Sequence, residues 1–266
     1  MRTKTDPVPG PAASRSGTQS VERAVFLLRE LATRGATGWR LQDLAQHCGL
    51  DRGTVHRLLK CLVEERLVQQ RGSDRRYVLG PMNYELALSV TASVELGQAI
   101  RAMVRRLTRE LPKLVAISSS LRSGDDSVCV ARGGTASHIT EASRPRIGKR
   151  VPLLAGIAGI CIVAELPAHE ARAIRARNLP MLANLGEGHM ALVQTLLDAS
   201  AGKGYAFSEG VMWRGIHSMA VPFGPPGAPL GSIIASGSVD DYSAADLHAM
   251  LPLLRQAAAP FAQLAG

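Results

Sequence analysis

No run of apolar residues in this 266-residue chain approaches the roughly 18 needed to cross a bilayer as a helix. Residues 1–17 are too polar, and too rich in Pro, Gly and Ser, to form the apolar heart of a secretion signal. A membrane protein is excluded on this reading; the expectation is a cytoplasmic chain with a disordered tail over residues 1–18. Metal-site spacings are missing too. The four cysteines, Cys48, Cys61, Cys129 and Cys161, are too far apart for a CxxC pair, and the seven histidines include no HExxH. Cys48 and Cys61 fall on apolar helix faces, where core packing is the expected role. Also lacking is the equipment of an enzyme: no nucleophile beside a base, and no paired carboxylates in a cleft-like context. Asp125-Asp126 and Asp240-Asp241 sit in turn-like surroundings, and Gly156-Ile157-Ala158-Gly159 lacks the order of a dinucleotide loop. The expectation is no catalytic residue, no metal and no cofactor.

What the chain does have is positive charge, unevenly spread. The net charge is +9, yet residues 1–80 hold 14 Lys/Arg against 8 Asp/Glu, residues 81–150 hold 11 against 6, and residues 151–266 hold 6 against 8. All the excess lies in the first 150 residues. Phosphate neutralisation requires such a distribution, because each cation set against a phosphate releases condensed counterions.

The basic part is patterned. Ser20 to Thr33 reads as a helix with Ser20 as N-cap and a stripe of Val21, Ala24, Val25, Leu28, Leu31 and Ala32. Leu41 to His47 reads as a short second helix ended by Gly49, and Asp51 caps a third that runs to about Arg66. The third helix has an inner face of Val55, Leu58, Leu59 and Leu62 and an outer face with Arg52, His56, Arg57 and Lys60. Leu67 to Gln70 and Arg76 to Leu79 form a hairpin around Arg71 to Arg75. Two short helices about a tight turn, followed by a basic hairpin, make a winged helix-turn-helix. Arg52, Thr54, His56, Arg57 and Lys60 are the expected base and phosphate contacts of the reading helix; Arg71, Arg75 and Arg76 are the expected phosphate or minor-groove contacts of the wing. A helical module for protein contacts would not need cap, turn glycine, inner stripe and basic wing together.

From Met82 to Leu111 apolar residues recur at helical spacing, as two helices broken around Gly97. Residues 81–97 are then a linker helix between a DNA-binding domain at 19–80 and a second domain at 98–266. In that second domain, strands are expected at Leu114–Leu121, Val128–Arg132, Ile147–Leu153, Ile216–Phe223 and Leu230–Val239. Helices are expected at Ala155–Glu165, His169–Arg177, Gly188–Gly202 and Ser243–Leu264, the last kinked near Pro252. This order suits an α+β domain of antiparallel strands with helices on one side. Ser118, Ser119 and Ser120 read as strand residues. A purely architectural DNA binder would have no use for so large a second domain.

Ser20-Val21-Glu22-Arg23-Ala24, Leu41-Gln42-Asp43-Leu44-Ala45, Gly49 through Leu59 and Arg76-Tyr77-Val78-Leu79-Gly80 together resemble the IclR family of regulators. Ile147-Gly148-Lys149-Arg150-Val151-Pro152-Leu153, Gly204-Tyr205-Ala206-Phe207 and Met219-Ala220-Val221-Pro222 extend the resemblance over nearly the whole chain after the tail. It implies a C-terminal GAF-like α/β domain that binds a small-molecule effector and oligomerises, so that a homodimer or homotetramer grips double-stranded operator DNA. The positions it assigns to the effector are Leu154, Ile157, Ala158, Ser208, Met212, Ser218, Met219 and Ser236. The chain departs from the family pattern in places: where many members have an acidic residue and then paired glutamates, it has Ser208, Glu209 and Gly210 followed by Met212 and Trp213; Leu154 replaces a frequent histidine, and Ile160 stands where a lysine often follows glycine. Leu154, Ile157, Met212 and Met219 then suggest an apolar cavity suited to aromatic or larger apolar acids.

Overall fold

Amphipathic spacing builds the N-terminal elements. The structure, a computed structural model, describes residues 18–135, 146–182 and 187–263; the expected tail lies outside them except for Thr18. Helix α1 (Gln19–Arg34) starts at Thr18, with no side-chain cap. Ser20 is therefore inside the helix rather than its cap; Glu22 in the first turn supplies the negative charge that the exposed amides favour. The buried stripe is also rotated from the expected one. Leu27 and Leu31 are fully buried, whereas Val21 is 63% and Val25 40% exposed.

Helix α2 (Leu41–Cys48) buries Leu44, Ala45 and Cys48 and ends at Gly49, whose φ of 61° is the left-handed conformation that lets the chain turn at once. Asp51 caps α3 (Arg52–Glu64) by accepting the Thr54 amide at 3.0 Å. Val55, Leu59 and Leu62 of α3 join Leu27, Leu31, Trp39 and Leu44 in one core, closed by Val68 of β1 (Val68–Gln70) and Tyr77 of β2 (Tyr77–Leu79). Cys48 is in this core, but Cys61 is exposed. At 100° per residue Cys61 lies above Arg57, on the outer face rather than the inner one.

The chain divides into two compact units, Met1–Glu95 and Leu96–Gly266. Helix α4 (Met82–Leu88) is followed by a break at Ser89 and Val90, and then by α5 (Thr91–Glu110). The expected break at Gly97 does not occur. Ser, Val and Thr in succession are weak helix formers, while a lone glycine is tolerated within a long amphipathic helix. A methyl group at Gly97 would lie 3.3 Å from the Arg101 guanidinium.

The second unit is built on a six-stranded antiparallel sheet made from β3 (Ala116–Ser123), β4 (Asp126–Gly133), β5 (Arg150–Pro152), β6 (Ala206–Trp213), β7 (Ile216–Phe223) and β8 (Gly231–Ser238). Its spatial order is β5-β4-β3-β8-β7-β6. Helices cover both faces, not one. On one side α6 (Ile157–Ala164), α7 (Ala168–Leu182) and α8 (Glu187–Ser200) enclose Ala206, Ala220 and Ile234. On the other, α5, α9 (Ala244–Ala249) and α10 (Leu251–Ala258) enclose Ile117, Met219, Val221, Ile233 and Ala235. Strands whose consecutive residues are both apolar, such as Ile233-Ile234 and Ala220-Val221, are those that a two-sided sheet requires. The closing helix is split at Met250, with Pro252 in the first turn of α10, where its missing amide costs nothing. Strand β6 has no counterpart among the expected strands: Gly210 at φ 71° and a bulge between Glu209 and Trp213 interrupt its alternation.

Candidate functional site

One face of α3 stands clear of the core. The buried residues of the helix recur at Val55, Leu59 and Leu62, which turns Arg52, His56, Arg57 and Lys60 outward, all exposed. Thr54 is half-buried at the capped end. Lys60 lies 3.9 Å from Glu64, both strongly exposed, an arrangement that water and salt screen easily.

The wing is pinned at its base. Trp39 and Tyr77 exchange backbone hydrogen bonds of 2.9 and 2.8 Å, adding a one-residue bridge beside β2. Arg71 then donates to the Ala36 carbonyl at 2.6 Å, to the Thr37 carbonyl at 3.1 Å and to both oxygens of Asp74. Arg76 donates to the Gly38 carbonyl at 3.2 Å and lies 3.4 Å from Asp74. Partial desolvation pushes the Asp74 carboxyl up, but the Arg76 amide and the Arg71 guanidinium outweigh it and hold it below the ordinary carboxylate range. Arg71 and Arg76 thus tie the wing to the loop before α2. Arg75, at φ 56° and exposed, is the wing arginine that points outward.

Between α3, the start of α2 and the wing lies a groove of about 650 Å³ lined by Arg40, Leu41, Gln42, Arg52, Gly53, His56, Gln70, Asp74, Arg75 and Tyr77. It unites Arg52, His56 and Arg75 from the expected set. Arg57 and Lys60 lie outside it, on the exposed side of the same helix. Arg40, Gln42 and Gln70 were not among the expected contacts. Their signal was position: Arg40 and Gln42 flank the N-terminus of α2, where unpaired amides favour phosphate, and Gln70 ends β1.

In the second unit, strand register brings three of the expected effector residues into one row: Ser208 pairs with Ser218 across β6 and β7, and Ser218 with Ser236 across β7 and β8. The Ser218 and Ser236 hydroxyls are 2.9 Å apart, and Ser208 accepts the Met212 amide at 3.1 Å. Ala220, two residues from Ser218 and on the same face, belongs to the α6 core, as do Leu154 and Ile157, with Ala158 and Met212 packed against it. Met219 does not join them. It is fully buried on the opposite face, in the core with α5, α9 and α10, because successive strand residues alternate sides.

Asn178, on α7 and absent from the expected set, is fully buried and organises this edge. Its carbonyl oxygen accepts the Leu154 amide at 3.0 Å and its NH₂ donates to the Asp125 carbonyl at 3.2 Å. Ser232 on β8 donates to the Ala158 carbonyl at 3.0 Å, fastening α6 to the sheet. Burial pushes the Cys48 thiol up to about 12 and the Cys129 thiol up to about 11, far from a reactive thiolate. Among the described residues no group of His, Cys, Asp and Glu is placed to hold a metal ion, and no helix is long and apolar enough to cross a membrane.

Two domain families match the chain: the IclR helix-turn-helix domain over residues 20–72 and the bacterial transcriptional regulator IclR C-terminal domain over residues 88–262. The HTH-type transcriptional regulator TtgV of Pseudomonas putida is 31% identical over 180 residues, 68% of this chain and 67% of its own. The crystal structure of an IclR family transcriptional regulator from Brucella abortus aligns over 96% of both chains with a TM-score of 0.62 at 19% identity. An IclR homolog from Microbacterium hydrocarbonoxydans, solved in complex with 4-hydroxybenzoate, aligns over 89% of this chain and 97% of its own with a TM-score of 0.63 at 18% identity. These relatives are regulators rather than enzymes. The chain belongs to the IclR family of bacterial transcriptional regulators, with its DNA-binding helix-turn-helix in the first unit and the family's C-terminal α/β domain in the second.

Proposed function

We propose that this regulator is ligand-responsive, that its second unit takes an aromatic or apolar carboxylic acid against the α6 side of the sheet, and that it controls catabolic or related genes. The observation that carries the reading is the row of Ser208, Ser218 and Ser236 hydroxyls beside the apolar Leu154, Ile157, Ala158 and Met212. Hydroxyls can donate to a carboxylate, and an apolar wall favours a ring over a small hydrophilic oxo acid. The 4-hydroxybenzoate held by the Microbacterium relative has that chemistry and supports the reading.

In the same proposal the first unit reads operator DNA through Arg52, Thr54, His56, Arg57 and Lys60, with Arg75 reaching from the wing and Arg71 and Arg76 positioning it. One recognition helix covers few base pairs, so paired half-sites and a dimer or tetramer supply the rest. Coupling runs along residues 82–97: an effector with different affinities for two arrangements shifts their populations, and operator affinity changes reciprocally.

The test is thermal melting of the full chain with 4-hydroxybenzoate, benzoate and pyruvate. A bound acid at about a hundredfold excess over Kd adds about 2.7 kcal/mol of stability, a shift easily read. The aromatic acids are expected to raise the melting temperature, and Ser218→Ala and Ser236→Ala to reduce that rise. A rise with pyruvate and none with either aromatic acid refutes the assignment.

A further inference from the structure

Helix α5 carries an uncommitted row of arginines. Ile100, Met103, Val104 and Leu107 turn inward to the core, which leaves Arg101, Arg105 and Arg109 on the outside at successive four-residue steps, all exposed. None of the three has a carboxylate partner among the described residues. Six other arginines are paired with a carboxylate: Arg66 with Glu85, Arg71 and Arg76 with Asp74, Arg122 with Glu170, Arg150 with Asp126 and Arg177 with Asp125. The acid that ends α5, Glu110, is taken by Arg106. Like charges four residues apart on a helix repel, so the row works against the helix that bears it.

We propose that Arg101, Arg105 and Arg109 form a second contact to DNA, a sequence-independent one to the phosphates of the duplex that the helix-turn-helix holds. The inference rests on the DNA-binding reading of the first unit. Three guanidiniums along about 12 Å of helix, at 1.5 Å rise per residue, span a length over which a duplex carries about seven charges, at roughly one per 1.7 Å of axis, so each can meet a phosphate. Arginine suits phosphate through its planar fork of donors. Arg101 is only the sixth residue of the second unit, so few residues of chain separate the row from the first unit.

The experiment compares the full chain with the triple variant Arg101→Gln/Arg105→Gln/Arg109→Gln on a labelled duplex of arbitrary sequence, between about 50 and 200 mM salt. Each lost phosphate contact flattens the plot of log affinity against log salt by about 0.9, so the slope is expected to fall by about 2 to 3 per chain. The triple variant should melt no lower than the parent, since glutamine removes two repulsive pairs from α5. An unchanged slope overturns the inference. An unchanged slope with a smaller sedimenting assembly overturns it as well, and assigns the row to an acidic face of a second copy. Arg57→Ala is run in parallel: weakened binding there with an unchanged slope in the triple variant sinks this inference alone, whereas intact binding in Arg57→Ala sinks the assignment of the reading helix.

Discussion

Leu59 and Arg57 are two residues apart on α3, and substituting each to alanine should give opposite phenotypes. Leu59 is fully buried among Leu27, Leu31, Leu44 and Val55, contributed by three helices that hold one another in place. A cavity there cannot close by moving one neighbour, so Leu59→Ala is expected to cost about 3 kcal/mol, within the range of roughly 2–5 for such deletions. For a unit of this size each kcal/mol lowers the melting temperature by roughly 4–8 °C, which gives a drop of about 12–24 °C. The chain's two tryptophans separate the units in a fluorescence melt: Trp39 is 3% exposed in the first core, while Trp213 is 51% exposed in the second unit. The blue-shifted Trp39 signal should be lost early in Leu59→Ala, with the melting of the second unit unchanged. A drop below about 5 °C would refute the packing of α3 by this face.

The exposed face predicts the reverse for Arg57→Ala, an unchanged melt with operator binding weakened more than tenfold at fixed salt, as expected for losing a contact worth about 1.4–3 kcal/mol. Asn178→Ala leaves the buried Leu154 amide without its partner, while the Asp125 carbonyl keeps the Leu153 amide at 3.0 Å, and should destabilise the second unit by about 1–3 kcal/mol in a denaturant titration; a loss under about 1 kcal/mol contradicts the described bond. The Asp74 carboxyl is held low by the folded state, so the anchorage of the wing is complete above the unfolded value of about 3.9 and is lost as pH falls through the lower folded value. Hydrogen exchange at the Arg76 amide should therefore stay slow at neutral pH, and in Asp74→Ala, which removes the acceptor, it should be fast there; equal protection in the two proteins argues against the clasp.

The helix-turn-helix was legible because its information is local: Asp51 caps α3 through the Thr54 amide, Gly49 turns the chain, and Val55, Leu59 and Leu62 recur at one helical face. The identity of the wing residues was legible but not their division of labour, since two of the partners of Arg71, the Ala36 and Thr37 carbonyls, lie more than thirty residues upstream. Cys61 was misassigned because it follows Leu58 by three residues, a spacing that fits the inner stripe, while it also follows the outward Arg57 by four. The second domain lost more. Its helices on both faces follow from strand order, which periodicity does not contain, whereas the opposite sides of Ser218 and Met219 follow from alternation within β7 and were obscured only because the resemblance assigned both to the effector. Asn178 carries no pattern at all in the chain; its role exists only once α7 lies against the turn at Leu154.

The two-sided sheet has a mechanical corollary. Ser218 and Met219 are bonded neighbours on β7, yet their side chains enter separate interiors, Ser218 toward α6 and Met219 toward α5, α9 and α10. Both interiors are packed at a density with no slack to absorb a shift. A displacement of the β7 backbone normal to the sheet, of the kind that would make room for a ligand at Ser218, would therefore carry Met219 toward the compartment that α5 walls. In that event the sheet would act as a diaphragm, with pressure on one surface delivered, one peptide bond later, to the helix on the other.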